Sequence, residues 1–494
     1  MGLTQTPDVS EAFASTGIPS LDHILAGGIP RDCLFLIQGD PGVGKTALAL
    51  SFLMAGRDAG ERGLYVTLSE SPDELHAVAR SHGWDLTGIE IHEVRPTDLL
   101  SEDENTLFHP AEVELQETTQ ELAALFAKIR PRRAVFDSLA ELRLLAQNTH
   151  RYRRLILRMK QMFTSEGCTV LLLDDRASLD TDIHLQTIAH GVLTLEQLAP
   201  LYGAERRRLR VVKMRGVKFR GGYHDYKIRT GGLDVFPRLV AAEHAAPFKA
   251  ERISSGVPAL DELLGGGVDR GTSTLVMGPP GTGKSIVSTQ FAVASARRGE
   301  RAAFFLFDEN IATLVGRSDA LGMDLSGLIK KGSVVLQSVN PAELPPGEFA
   351  ATVRREVENG ARVIVIDSLN GYFSAMPEES FLTLQMHELL SYLAQQGVAT
   401  FLVVAQQGVF GQSAPVDVSY ISDTVLLLRN FEAAGRLRKA MSVVKKRSGR
   451  HDNTIRELIL ASTGMAVGPT LEELHGVLTG TPTSVGNGNA ARTR

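Results

Sequence analysis

"GDPGVGKTALAL", from Gly39 to Leu50, decides the fold, because GxxxxGK[ST] between an apolar strand pattern and a helical one is a phosphate-binding loop. Its glycines let backbone N–H groups close around phosphate oxygens, and the helix N-terminus that follows favours negative charge. A second copy, "GPPGTGKSIVST", runs from Gly278 to Thr289. The residues expected to cradle nucleotide phosphates are therefore Gly39, Asp40, Pro41, Gly42, Val43, Gly44, Lys45 and Thr46, and in the second loop Gly278, Pro279, Pro280, Gly281, Thr282, Gly283, Lys284 and Ser285. Lys45 and Lys284 are placed to reach the β- and γ-phosphates of ATP, and the Thr46 and Ser285 hydroxyls to bind Mg²⁺.

Working outward from the loops, the chain repeats itself. "STGIPSLDHILAGGIPRDCLFLIQGDPGVGKT" (Ser15 to Thr46) matches "SSGVPALDELLGGGVDRGTSTLVMGPPGTGKS" (Ser254 to Ser285) without a gap. The same offset pairs Gly60 with Gly299, Glu70 with Glu309, and "GWDL" from Gly83 with "GMDL" from Gly322. Downstream the offset slips, yet "AVFDSLAE" still answers "VIVIDSLN" and "VVKMRG" answers "VVKKRS". Constant motif order with shifting spacing indicates two copies of one domain whose length changes fall in loops. The expected domains are residues 1–245 and 246–470, joined by the small-residue stretch "VAAEHAAPFKAERIS", with 471–494 expected to be a disordered tail. In each copy short apolar runs ("CLFLIQ", "GLYVTL", "RAVFD", "TVLLLD"; "STLVMG", "AAFFLF", "RVIVID", "TFLVVA") alternate with helical patterns such as "TTQELAALFAKIR". That alternation predicts an α/β fold in which each domain is a mostly parallel sheet flanked by helices.

Composition narrows the function classes. With 494 residues, 43 % hydrophobic and 22 % charged, the chain is an ordinary globular protein too long for one core. A formal charge of −5 gives no electrostatic footprint for nucleic acid. The two cysteines, Cys33 and Cys168, form no CxxC pair or Cys/His cluster, so neither a disulfide framework nor structural zinc is expected. No apolar run approaches a membrane span, and "MGLTQTPDVSEAF" carries no signal-peptide pattern, so a cytoplasmic protein without membrane contact is expected.

Four further sets of residues complete the candidate site. Asp137 and Asp367 each end an apolar strand and precede Ser, the setting of a Walker-B aspartate that orients Mg²⁺; a strand-end Asp capping a turn is the alternative. Glu70 in "VTLSESP" and the pair Asp308–Glu309 in "FLFDENI" are candidate bases for the attacking water or hydroxyl, or else helix N-terminal acids favoured by the macrodipole. Ser69 stands where the second copy has Asp308. Lys213 with Arg215, and Lys445 with Arg447, alternate along late strands, so each pair shares a face; they are candidate fingers to a neighbouring subunit's nucleotide, or a solvated basic edge. Arg206, Arg207 and Arg208 read as surface charge.

These motifs in this order resemble the KaiC family of circadian clock ATPases, whose tandem RecA-like P-loop domains carry "[ST]GxxxLD", a phosphate loop, an acidic position, "[FI]DS" and "KxR". The similarity covers about residues 15–470, with "GWDL", "ISDTVLLL", "VVKKRS" and "HDNTIREL" falling in order. The resemblance implies a homohexamer of two stacked rings with ATP and Mg²⁺ between subunits. It also implies slow hydrolysis in the N-terminal ring, reversible phosphoryl transfer to a hydroxyl pair in the C-terminal ring, and KaiB-like or histidine-kinase signalling partners. Carried over, the paired carboxylates fall at Ser69–Glu70 and Asp308–Glu309, and the Ser–Thr phosphoacceptor pair falls at Ser419 and Tyr420 of "VSYISDT". One acceptor, Ser419, is therefore expected. The other readings are an ATP-gated hexameric scaffold without kinase activity, supported by Ser69 and Tyr420, and a RecA- or RadA-like DNA-dependent ATPase, which the mild acidity disfavours.

Overall fold

The computed structural model describes residues 12–94, 110–146, 148–175, 185–200, 203–374, 381–405, 419–433, 435–479 and 483–484. The chain forms two compact units, residues 1–238 and 239–494.

The first unit is built on a nine-stranded sheet of β1 (Leu34–Gly39), β2 (Gly63–Thr67), β3 (Ile89–Glu93), β4 (Arg133–Asp137), β5 (Thr169–Asp174), β6 (Gly191–Leu198), β7 (Arg206–Met214), β8 (His224–Arg229) and β9 (Gly232–Phe236). Its order is β3-β2-β4-β5-β1-β6-β7-β8-β9. From β3 to β6 every neighbour is parallel, and β6 to β9 is an antiparallel meander. The second unit repeats this with β10 (Ser273–Gly278), β11 (Arg301–Leu306), β12 (Val334–Ser338), β13 (Ala361–Asp367), β14 (Ala399–Ala405), β15 (Thr424–Ala433), β16 (Arg436–Lys446), β17 (Arg456–Ala461) and β18 (Gly464–Thr470), in the order β12-β11-β13-β14-β10-β15-β16-β17-β18. Position for position the two orders coincide. Even the register recurs: Leu34 lies opposite Val170, and Ser273 opposite Thr400. These are the two mostly parallel, helix-flanked sheets of tandem RecA-like domains.

Continuous apolar runs become the central strands because a parallel sheet with helices on both faces buries every side chain; β1, β4 and β5 are buried at every position. The "[ST]GxxxLD" stretch locks the fold rather than performing chemistry. Asp22 accepts from the Thr16 backbone N–H at 2.8 Å and the Ser15 hydroxyl at 2.6 Å, and Asp261 accepts in the same way from Ser255 at 2.7 Å and Ser254 at 2.5 Å.

Two sequence expectations change. The stretch read as a linker belongs to the second unit: Ala241–His244 forms a 3₁₀ turn whose Ala241 is buried, and the His244 ring meets Tyr392 edge-on at 5.4 Å. The expected disordered tail is ordered at its start, where Leu474–His475 pairs with Thr483–Ser484 and Val477 is buried with Phe431 and Ala440. Small side chains and a lone buried valine carry no periodicity, so neither contact shows in the sequence.

Candidate functional site

A parallel sheet opens its ligand crevice at the carboxyl ends of its strands. In the first unit β1 ends at Gly39 and runs into the phosphate loop, and the helix Lys45–Asp58 then leads away. Gly44 caps that helix at φ 92° and Gly283 caps its counterpart, Lys284–Arg297, at φ 100°. A side chain disfavours this left-handed backbone, which is why the motif requires glycine before lysine.

Around the first loop, Lys45 Nζ donates to the carbonyls of Gly39 (2.7 Å) and Asp40 (3.1 Å) and to Asp175 Oδ1 (2.7 Å). Asp137, at the end of β4, is 6 % exposed and accepts from the Tyr65 hydroxyl at 2.5 Å and from Thr46 Oγ1 at 3.5 Å. Burial pushes the Asp137 carboxyl up, while the Tyr65 hydroxyl and the Lys45 ammonium pull it partly back. Glu70 follows β2 and is fixed through its backbone, its N–H donating to Thr67 Oγ1 at 2.9 Å and its carbonyl accepting from the same hydroxyl at 2.6 Å. The next helix, Pro72–Ser81, starts on a reciprocal Ser71–Glu74 capping box, so Glu74 is spent on the cap. Glu70 Oε2 is buried without a hydrogen-bond partner. Burial first, and then the Asp137 and Glu74 carboxylates, raise the Glu70 carboxyl above the ordinary glutamate range.

The second site has the same plan with different partners. Lys284 is 8 % exposed and donates to the Pro279 carbonyl at 2.9 Å; burial draws its ammonium down, against the pull of Asp367. Among the described residues it makes no ion pair. Asp367 ends β13 and bonds the Ser285 hydroxyl; burial raises its carboxyl, Ser285 lowers it and the nearby Glu309 raises it again. Asp308 accepts from the Ser368 hydroxyl. Glu309 is held by Arg317 through two bonds, of 2.8 and 2.9 Å. The Asp137–Ser138 and Asp367–Ser368 peptide bonds are both cis.

Each unit thus brings its loop lysine, its hydroxyl, its strand-end aspartate and its following glutamate to one end of the sheet. The hydroxyl–aspartate pairs suit Mg²⁺, which keeps several waters and takes one or two protein ligands plus phosphate oxygens. No cluster of three or more His, Cys, Asp or Glu side chains fit to hold a metal occurs among the described residues.

The basic pairs lie elsewhere in each unit. Lys213 Nζ donates to the carbonyls of Gln186 (2.6 Å) and Ala189 (2.8 Å), and Arg215 donates to the Thr187 carbonyl (2.7 Å). Lys445 donates to the Ser422 carbonyl (2.8 Å) and Arg447 to that of Tyr420 (2.9 Å). Arg447 thus braces the 3₁₀ turn Ser419–Ile421, which Ser419 opens, and Lys445 the residue that follows it; the surroundings of the Ser419 side chain lie outside the described residues, and Tyr420 is 54 % exposed. Arg207 and Arg208 pair with Glu205 (3.0 Å) and Glu196 (2.9 Å), and Arg208 also lies over the Tyr223 ring.

Sequence reasoning missed Tyr65, Asp175 and Arg317. Tyr65 left a trace, a phenol between the aliphatic Leu64 and Val66 where the second copy has Phe304. Asp175 and Arg317 left none, since an acid after a strand and an arginine on a helix are ordinary.

Among the described residues no helix is long and apolar enough to cross a membrane. Against known proteins, the family described as "ATPase: KaiC" matches residues 14–240 and again 253–472. The circadian clock oscillator protein KaiC of Picosynechococcus is 28 % identical, over 95 % of this chain and 92 % of that protein. Its namesake in Synechococcus elongatus is 27 % identical over the same shares, and the circadian clock protein KaiC3 of Synechocystis 28 % over 94 % of each.

Proposed function

This chain belongs to the KaiC family of ATPases, and from that premise we propose that both repeats bind Mg²⁺–ATP, the first hydrolysing it and the second passing its terminal phosphoryl group to Ser419. The observation that carries this reading is the recurrence, at the same end of two matching sheets, of loop lysine, hydroxyl–aspartate pair and trailing glutamate. The relatives' clock names support a signalling or timing role. The proposed assembly is a homohexamer acting in the cytoplasm with KaiB-like or histidine-kinase partners.

Lys45 and Lys284 supply positive charge to the phosphates, and the N–H groups of residues 39–46 and 278–285 cradle them. Thr46 with Asp137, and Ser285 with Asp367, would hold Mg²⁺, which when bound neutralises charge developing between the β- and γ-phosphates. Glu70 accepts the proton of the attacking water. In the second repeat the Ser419 oxygen forms the new P–O bond, the bond to ADP breaks, and Glu309 or Asp308 takes the hydroxyl proton.

Intact-mass spectrometry with phosphopeptide mapping, on protein incubated with Mg²⁺–ATP, tests the kinase assignment. Expected are one phosphate on Ser419, its loss in Ser419→Ala, and no incorporation in Lys284→Ala. Steady ATP turnover with no phosphate would replace the kinase by an ATP-gated scaffold, the reading that the exposed Tyr420 beside Ser419 favours.

A second expectation concerns the metal. Tyr65 is fully buried and holds the Asp137 carboxylate toward Thr46. Tyr65→Phe removes only that hydroxyl. Because a hydrogen bond to a charged group contributes about 1.5–3 kcal/mol, the Mg²⁺ concentration that half-saturates the first repeat with nucleotide should rise about tenfold. Mn²⁺ electron paramagnetic resonance reads this directly. Metal-free ADP affinity should stay the same; a parallel fall would mean the loop itself had been damaged.

A further inference from the structure

The two glutamates that follow the second strand of each repeat stand in different surroundings. Glu309 lies just before the helix Ile311–Ala320, and Arg317, near that helix's end, reaches back to it. Nη1 meets Oε1 at 2.8 Å and Nη2 meets Oε2 at 2.9 Å, so both carboxylate oxygens face the guanidinium fork. The pair is partly shielded, with Glu309 19 % and Arg317 40 % exposed. The neighbouring acid, Asp308, is committed to the Ser368 hydroxyl.

In the first repeat the gap-free alignment puts Val78 opposite Arg317. Val78 packs against the core, and Glu70 keeps a buried oxygen without a hydrogen-bond partner. The two glutamates, on matching frames, therefore differ in their engagement: Glu309 is held by a cation, and Glu70 keeps a buried oxygen free of hydrogen bonds.

We propose that Arg317 is a positioning residue that restrains hydrolysis in the second repeat by occupying both oxygens of Glu309, so that ATP bound there persists long enough for transfer to a side-chain hydroxyl. This rests on the reading of Glu309 as the base for water in the second repeat, with Asp308, which Arg317 does not hold, taking the acceptor's proton in transfer. The first repeat lacks the restraint and turns over more freely. A water molecule entering the second site meets a carboxylate whose lone pairs already accept from a cation. Taking up the water's proton neutralises Glu309 and forfeits its ion pair with Arg317, and that loss adds to the barrier.

The test uses the full-length chain carrying Glu70→Gln, which confines turnover to the second repeat. Adding Arg317→Gln should raise kcat about fivefold, the scale of releasing a partly exposed ion pair, with KM for ATP unchanged. Arg317→Lys, which keeps charge but loses the fork, should fall between. An unchanged or lower kcat in Arg317→Gln, with an unchanged melting temperature, would overturn the restraint. Should Arg317→Gln fail to fold, the converse variant decides. Val78→Arg in a Glu309→Gln chain should lower first-repeat turnover severalfold, and no change there would equally overturn the proposal. The underlying reading is tested separately, since Glu309→Gln added to Glu70→Gln must abolish the residual turnover. If it does not, Glu309 is not the base and the inference falls with that assignment.

Discussion

Glu70→Gln is expected to lower ATP turnover in the first repeat by about 10²–10⁴-fold, the usual contribution of a positioned general base, while ATP affinity stays within about twofold. Measured in a Glu309→Gln chain, turnover isolates the first site, and a filter or fluorescence titration gives affinity. The grounds are geometric. Glu70 is pinned through its backbone to Thr67, and its buried Oε2 has no partner to give up before it accepts a proton. The same surroundings fix the pH dependence. Burial, reinforced by Asp137 and Glu74, raises the Glu70 carboxyl. A base works only when ionised, so kcat/KM for the first repeat should fall as pH drops through this raised value, above the ~4.3 of an ordinary glutamate. The stability linkage has the opposite sense. The folded state binds this proton more tightly than the unfolded one, so Glu70's contribution to stability declines as pH rises through the same window. An acid limb at or below the ordinary glutamate range would remove Glu70 from the role of base.

Arg215→Ala is expected to reduce first-repeat turnover by about 10³-fold or more, the effect of removing a finger from the transferring phosphoryl group. Among the described residues of one subunit, the Arg215 side chain joins Lys213 in donating to the carbonyls of residues 186–189. A side chain confined to that brace would lose stability on truncation and little rate. Mixing subunits separates the two roles. A chain with Lys45→Ala but intact Arg215, combined with a chain carrying Arg215→Ala and an intact loop, should recover turnover if the guanidinium acts on a neighbour's nucleotide. Recovery requires both chains in one assembly. No recovery, with mixed assembly shown by mass spectrometry, would leave Arg215 as a brace.

The sequence was most legible where chemistry and backbone geometry demand one residue type. The loop glycines, Lys45, Lys284 and the strand-end Asp137 and Asp367 could be placed because few other arrangements bind a phosphate. Central strands were legible because burial on both faces forces continuous apolar runs. The edge strand β3 and the late meander strand β17 were not: each buries one position outright among exposed or half-exposed ones, and short mixed patterns read equally well as loop. Partners of site residues were least legible of all. Whether Glu309 meets a cation depends on a helix turning Arg317 back on it over eight residues. Asp175 reaches Lys45 from 130 positions away. Such contacts are set by tertiary packing, and no local spacing encodes them.

The Asp175–Lys45 ion pair also bears on what a nucleotide must displace to reach each loop. ATP approaching the first loop meets a cation whose charge is already balanced, and its phosphates must take the place of a carboxylate. Lys284 makes no ion pair among the described residues, so a phosphate reaching the second loop has no carboxylate to displace from its lysine. The first loop thus holds, in Asp175, an internal anion where a phosphate oxygen would sit against its lysine, and the second loop holds none among the described residues.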